Sequence, residues 1–155
     1  HEMGHYVMNH VYKGVMFFTI VILLLFAFIK WSFGWAVARW GDKWGIRDIG
    51  DTAGIPVVVG ALTVFFFVMS PILVTYTRTQ EAEADMFGLN ASRQPDGFSQ
   101  AALQLSEYRK LDPGKWEEIF FFDHPSGRAR IRMAMDWKAA NLPAGDAGTS
   151  AANSR

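Results

Sequence analysis

Residues 52–77 run for 26 positions without a charged side chain. Few folds can accommodate such a run. A bilayer core takes about 20 apolar residues as a helix, so this stretch is long enough to cross one. A second uncharged run, residues 14–29, contains Val15-Met16-Phe17-Phe18 and Val21-Ile22-Leu23-Leu24-Leu25-Phe26. It reaches spanning length once Trp31, Phe33 and Trp35 are added, with Lys30 extending its ammonium toward the headgroups. Buried helices of a soluble core would account for apolar runs of about 10–14 residues better than for these. Thr19, Thr63 and Ser70 interrupt the two spans. That is too little polarity for a permeation path, which argues against a transporter. The expected fold class is all-α, with two integral membrane helices.

Composition narrows the chemistry. Formal net charge is zero, and no nucleic-acid-type basic patch is present. The chain has no cysteine, which excludes disulfides and thiolate metal sites. Histidines and carboxylates remain as the strong metal ligands.

His1-Glu2-Met3-Gly4-His5 supplies two of them. On a helix, histidines four apart stand one turn apart on one face, so both imidazoles can reach one Zn²⁺. The intervening Glu2 points to the neighbouring side, where it can take a proton from a water that the metal has made acidic. This pattern predicts a helical zinc-metallopeptidase domain with Glu2 as general base. A ligand-bearing helix needs protein before it. The chain is therefore expected to be the C-terminal part of a longer protein, and a poor enzyme as it stands.

Zinc needs a third protein ligand. One large class places a histidine six residues after the second, with Gly three after it; Val11 and Met8 occupy those positions here and exclude that class. His10, nine residues from His1, is half a turn out of phase on a continuous helix and is expected to be an interfacial polar residue. The remaining source is Glu81-Ala82-Glu83-Ala84-Asp85. Glu81 and Asp85 share a helix face, and Glu83 points elsewhere. One of the pair can bind metal while the other accepts the N–H of a ligating imidazole. Taken alone, this segment would be a solvated acidic face. Topology favours the site, because two spans separate His5 from Glu81 and return the chain to the same side.

The expected organisation is a motif helix over 1–13 running into a membrane helix over 14–38. A polar hairpin over 39–51 leads to a second membrane helix over 52–77, kinked by Pro56 and Pro71. Residues 78–142 form a helical segment with the third ligand. It breaks at Pro95-Asp96-Gly97, carries an amphipathic helix over 98–111 with Ala102, Leu105 and Tyr108 on one side, and ends in a helix capped by Ser126. Residues 143–155 are expected to be a disordered tail. Arg78, Arg93, Arg109 and Lys110 after the second span outnumber the hairpin's Arg39, Lys43 and Arg47, which favours a cytoplasmic active site.

Three blocks, HEMGH at 1–5, TRTQEAEADMFGLN at 77–90 and DHPSGRARIRMAM at 123–135, resemble the type I CAAX prenyl endopeptidases and their bacterial HtpX-like relatives. The resemblance covers roughly residues 1–140 and, by spacing and spans, looks more like the CAAX branch. It implies a gluzincin-type set of zinc ligands, His1, His5 and Glu81, holding one ion per chain, with Glu2 as general base. It further implies that Asp85 stands behind a ligating histidine and that His124 hydrogen-bonds the oxyanion of the tetrahedral intermediate. Arg130 would hold the carboxylates or the substrate chain, while Arg128 and Arg132 are expected to be surface charges. Substrates would be peptides or proteins at the lipid bilayer, either membrane proteins or prenylated peptides. The small-residue tail and the HPSGRARI segment look bacterial, hence a multi-pass inner-membrane protein and a general endopeptidase. The rivals are a protease restricted to prenylated CAAX peptides and a catalytically inactive membrane scaffold.

Overall fold

The computed structural model describes residues 1–106 and 110–142. Tyr108 and the expected tail lie outside the described residues. Among the described residues the fold is all-helical, without strands: α1 (Glu2–Val7), α2 (His10–Trp44), α3 (Ile55–Ser92), α4 (Pro95–Leu105), α5 (Lys115–Phe121) and α6 (Gly127–Asn141), with a 3-10 turn (Thr52–Gly54) before α3. The chain divides into two compact units, one spanning His10–Leu73, the other combining His1–Asn9 with Val74–Arg155.

In the first unit α2 and the start of α3 meet through aromatic and small residues. Phe28 and Phe65 pack at a tilt of 44°, with ring centroids 5.7 Å apart. A Cβ on Gly54 would lie 2.7 Å from Phe33 Cε2, so only glycine allows this approach. The expected hairpin is shorter than 39–51, because α2 continues through Arg39, Asp42 and Lys43 to Trp44. It stops where Gly45 takes a positive φ of 68° and the Ile46 N–H reaches back to the Gly41 carbonyl at 3.0 Å. Asp51 then caps the 3-10 turn by accepting from the Ala53 N–H at 3.1 Å.

Both α2 and α3 are long and apolar enough to cross a membrane. Their large apolar side chains lie open, with Leu23 at 64% and Phe67 at 71% exposure. A helix in a soluble core would bury them. Their hydroxyls are satisfied within the helix: Thr19 donates to the Val15 carbonyl at 2.7 Å and Thr63 to the Val59 carbonyl at 2.9 Å. Residues 55–73, the part of α3 within this unit, extend about 29 Å at 1.5 Å each, close to the roughly 30 Å of a hydrocarbon layer. Pro71 sits inside this helix without ending it.

The motif helix is not continuous with the first apolar helix. α1 stops at Val7, and Asn9 adopts a φ of 56° before α2 begins at His10. Asparagine visits the left-handed region at low cost, which the apolar pattern does not reveal. His10 is buried at 3% exposure rather than interfacial, and the break removes the phase relation to His1.

The second unit is built around Leu89, Ala134 and Trp137, with Phe98, Met133 and Leu142 packed against them. α4 packs on α6. Trp137 Nε1 donates to Asn90 Oδ1 at 2.8 Å, and Lys138 Nζ lies 2.7 Å from both Asp96 carboxylate oxygens. Pro95 begins α4 rather than breaking the chain, since its missing N–H costs nothing at the first helical position. Ser126 caps α6 through a hydrogen bond from the Ala129 N–H at 3.3 Å. Because Leu89 is fully buried, Leu89→Ala should cost about 2–5 kcal/mol. A melt of the purified full-length protein should show a lower Tm, and an unchanged Tm would remove Leu89 from the core.

Candidate metal centre

α1 sets His1, its N-cap, one turn from His5, with ring centroids 4.9 Å apart and planes at 72°. On α3 the positions Glu81, Ala84, Asp85 and Gly88 recur at helical spacing and form one face. Gly4 brings the two helices together. A Cβ on Gly4 would lie 3.0 Å from Ala84 Cα and 3.2 Å from both the Ala84 carbonyl oxygen and Phe87 Cβ. Gly88 leaves space for the backbone of His1, whose nitrogen would be 3.2 Å from an added Cβ. The small residues at 4, 84 and 88 thus let the imidazoles of α1 reach the carboxylates of α3.

The donor atoms of His1, His5 and Glu81 all lie within 4.8 Å of one another. His1 Nε2 is 3.3 Å from Glu81 Oε2 and 3.3 Å from His5 Nε2, and His5 Nε2 is 3.5 Å from Glu81 Oε1. Two donors each about 2.0–2.1 Å from a tetrahedral ion stand about 3.3–3.4 Å apart. The separations therefore fit zinc, as does a set of two nitrogens and one carboxylate.

The other face of His1 fixes its tautomer. His1 Nδ1 lies 2.8 Å from Asp85 Oδ1, a carboxylate oxygen that can only accept. In a neutral ring with the proton on Nδ1, Nε2 would turn a lone pair toward Glu81 and His5. Asp85 is fully buried, and Arg130 on α6 donates to the same oxygen at 2.6 Å. Burial pushes the Asp85 carboxyl above the ordinary carboxylate range, while the hydrogen bond and charge of Arg130 pull it back. Arg130 also lies over the Phe98 ring, 5.3 Å from its centroid. Its guanidinium thus ties α6 to the buried carboxylate of α3.

His124, between α5 and α6, turns Nε2 to within 3.4 Å of Glu81 Oε2 and places Nδ1 3.0 Å from Asp123 Oδ1. Glu2 is exposed on α1, and Glu83 is exposed on α3. Arg128 pairs with Asp112 at 2.6 Å on the surface, and Arg132 is exposed. Gly4 and Arg78 escaped the sequence reading as site residues. The available signals were a glycine inside the motif and an arginine one turn before Glu81, and neither spacing states what it touches.

Comparison with known proteins identifies the family. The model of peptidase family M48 matches residues 1–138. The chain is 30% identical over 145 residues to an uncharacterized metalloprotease, YhfN, of Bacillus subtilis (strain 168). The alignment covers 92% of this chain and 34% of that protein, so the chain spans about a third of its relative's length. No solved structure matches the chain. A match across nearly the whole chain, together with two histidines and a glutamate converging on one point, makes this chain a member of peptidase family M48.

Proposed function

We propose that this chain carries the catalytic centre of a membrane-bound zinc metalloendopeptidase. The observation that carries the reading is the convergence of His1, His5 and Glu81, with Asp85 behind His1. These three residues would hold one zinc ion per chain. A bound zinc ion supplies Lewis acidity, making a water acidic near neutral pH and polarising the scissile carbonyl.

The chain's own residues divide the remaining work. Glu2, adjacent to His1 and open to solvent, accepts the proton of the attacking water and returns it to the leaving amine. Asp85 keeps the His1 proton on Nδ1, and Arg130 keeps Asp85 in place. His124 donates from Nε2 to the oxyanion, a contribution of about 3 kcal/mol for one such donor. α2 and α3 would cross the membrane, with the site at its cytoplasmic face in a bacterial inner membrane. The open apolar surface of both helices supports the crossing, and the excess of Arg and Lys after the second span supports the side. Unmodified membrane-associated proteins are the proposed substrates. No prenyl group is required in this reading.

The full-length protein in detergent tests the assignment through bound zinc and cleavage of an unmodified test protein. Glu2→Gln should retain zinc and lose turnover, whereas His1→Ala and Glu81→Ala should lose both. Normal cleavage by Glu2→Gln would falsify the mechanism. If wild type, with zinc bound, cleaves a prenylated peptide but no unmodified protein, the substrate proposal fails and the metal site stands. Asp85→Asn should weaken zinc binding about 10–100-fold, read by competition with a chelator. Gly4→Ala gains about 1 kcal/mol of intrinsic helix propensity but meets the Ala84 backbone. Its zinc affinity should fall by at least about tenfold, a loss of about 1.4 kcal/mol; unchanged affinity would mean that the close approach of α1 is dispensable.

A further inference from the structure

Arg78 is the first charge after the uncharged run, a place where an arginine commonly serves only to anchor a helix at a membrane surface. Its guanidinium does something more specific. One terminal nitrogen, Nη1, donates to the backbone carbonyls of Glu118 and Phe122, the latter at 3.0 Å. The other, Nη2, donates to Thr75 Oγ1 at 3.0 Å, holding the fork against α3.

Those carbonyls lie at the C-terminal end of α5: Glu118 stands in its last turn, and the Phe122 carbonyl lies beyond the intrahelical ladder, where a helix supplies no donor of its own. Phe122 is the C-cap, and its own N–H bonds the Glu118 carbonyl at 3.3 Å. α5 has seven residues and none of them is buried. A helix that short has little stability alone and depends on outside anchors. Gly114 and Lys110 hold its start through Glu117. Arg78 holds its end, two residues before His124.

We infer that Arg78 is a positioning residue, a clamp on the α5 terminus that sets His124 over Glu81. Arg78 and Glu81 lie three apart on α3, so one turn of one helix grips the backbone before His124 and faces its ring. Lysine would keep the charge but lacks the planar fork that serves two carbonyls and a hydroxyl at once. An interfacial anchor would tolerate that exchange.

This inference rests on the proposed role of His124, and the test separates the two. In the full-length zinc-loaded protein, kcat, KM and zinc affinity are measured for Arg78→Ala, Arg78→Lys, His124→Ala and the Arg78→Ala/His124→Ala pair. Losing an oxyanion donor lowers kcat about 10²–10³-fold, the range expected for His124→Ala. Arg78→Ala should lower kcat about tenfold or more, with KM and zinc affinity within about twofold of wild type. Added to His124→Ala, it should cost less than about twofold further, because both changes remove one function. Arg78→Lys should show the same pattern in weaker form, and it carries the test if the alanine variant does not fold. Wild-type kcat in His124→Ala would overturn the oxyanion role itself. An impaired His124→Ala beside a wild-type Arg78→Lys, or losses that multiply in the pair, would overturn the clamp alone.

Discussion

The candidate site depends on one buried carboxylate. Asp85 is fully buried, and its Oδ1 takes both His1 Nδ1 at 2.8 Å and the Arg130 guanidinium at 2.6 Å. That single oxygen joins α1, α3 and α6. A buried charge without partners would cost several kcal/mol, so Asp85 favours keeping the three elements together. Asp85 Oδ2 and Arg130 Nε are buried with no hydrogen-bond partner among the described residues. Asp85 Oδ1 therefore carries both contacts. This is an expensive way to join three helices, and its return is orientation: it aims the lone pair of His1 Nε2 toward Glu81 and His5.

The approach that permits this contact is steric. Gly4, Ala84 and Gly88 clear the interface, while Glu81 and Asp85 stand on the same face of α3. Helix packing and ligand placement are thus one problem. A side chain at position 4 would displace α1 from backbone atoms, which have no rotamer to retreat into.

Much of this was legible in the sequence for a simple reason: four-residue spacing on a helix is a geometric statement. His1 and His5, and Glu81 and Asp85, follow from that period, and the long uncharged runs follow from composition. His124 and Arg130 came from a resemblance, because no local period links a loop histidine to a carboxylate 43 positions away. Gly4 and Arg78 could not be assigned, since what they touch is decided by tertiary approach. Helix limits failed where a single backbone angle decides them. Asn9 ends the motif helix and Gly45 ends α2, both through positive φ. Pro95 was expected to break the chain, yet it starts α4, because the same missing N–H that breaks a helix interior suits a first turn.

Electrostatics explains why such a site suits a cation. His1 Nε2, with its proton committed to Nδ1, and the Glu81 oxygens all present lone pairs to a space about the size of one ion. Lone pairs facing one another at 3.3 Å gain nothing by themselves. A divalent ion between them turns the same arrangement from mutual repulsion to attraction. Arg130 contributes from outside, balancing the charge of Asp85, so that Glu81 is the carboxylate left for the proposed ion. The two acids four residues apart on one helix therefore do different things. Glu81, partly open, faces the proposed metal position, while Asp85, fully buried beneath His1, is placed to hold the His1 proton on Nδ1.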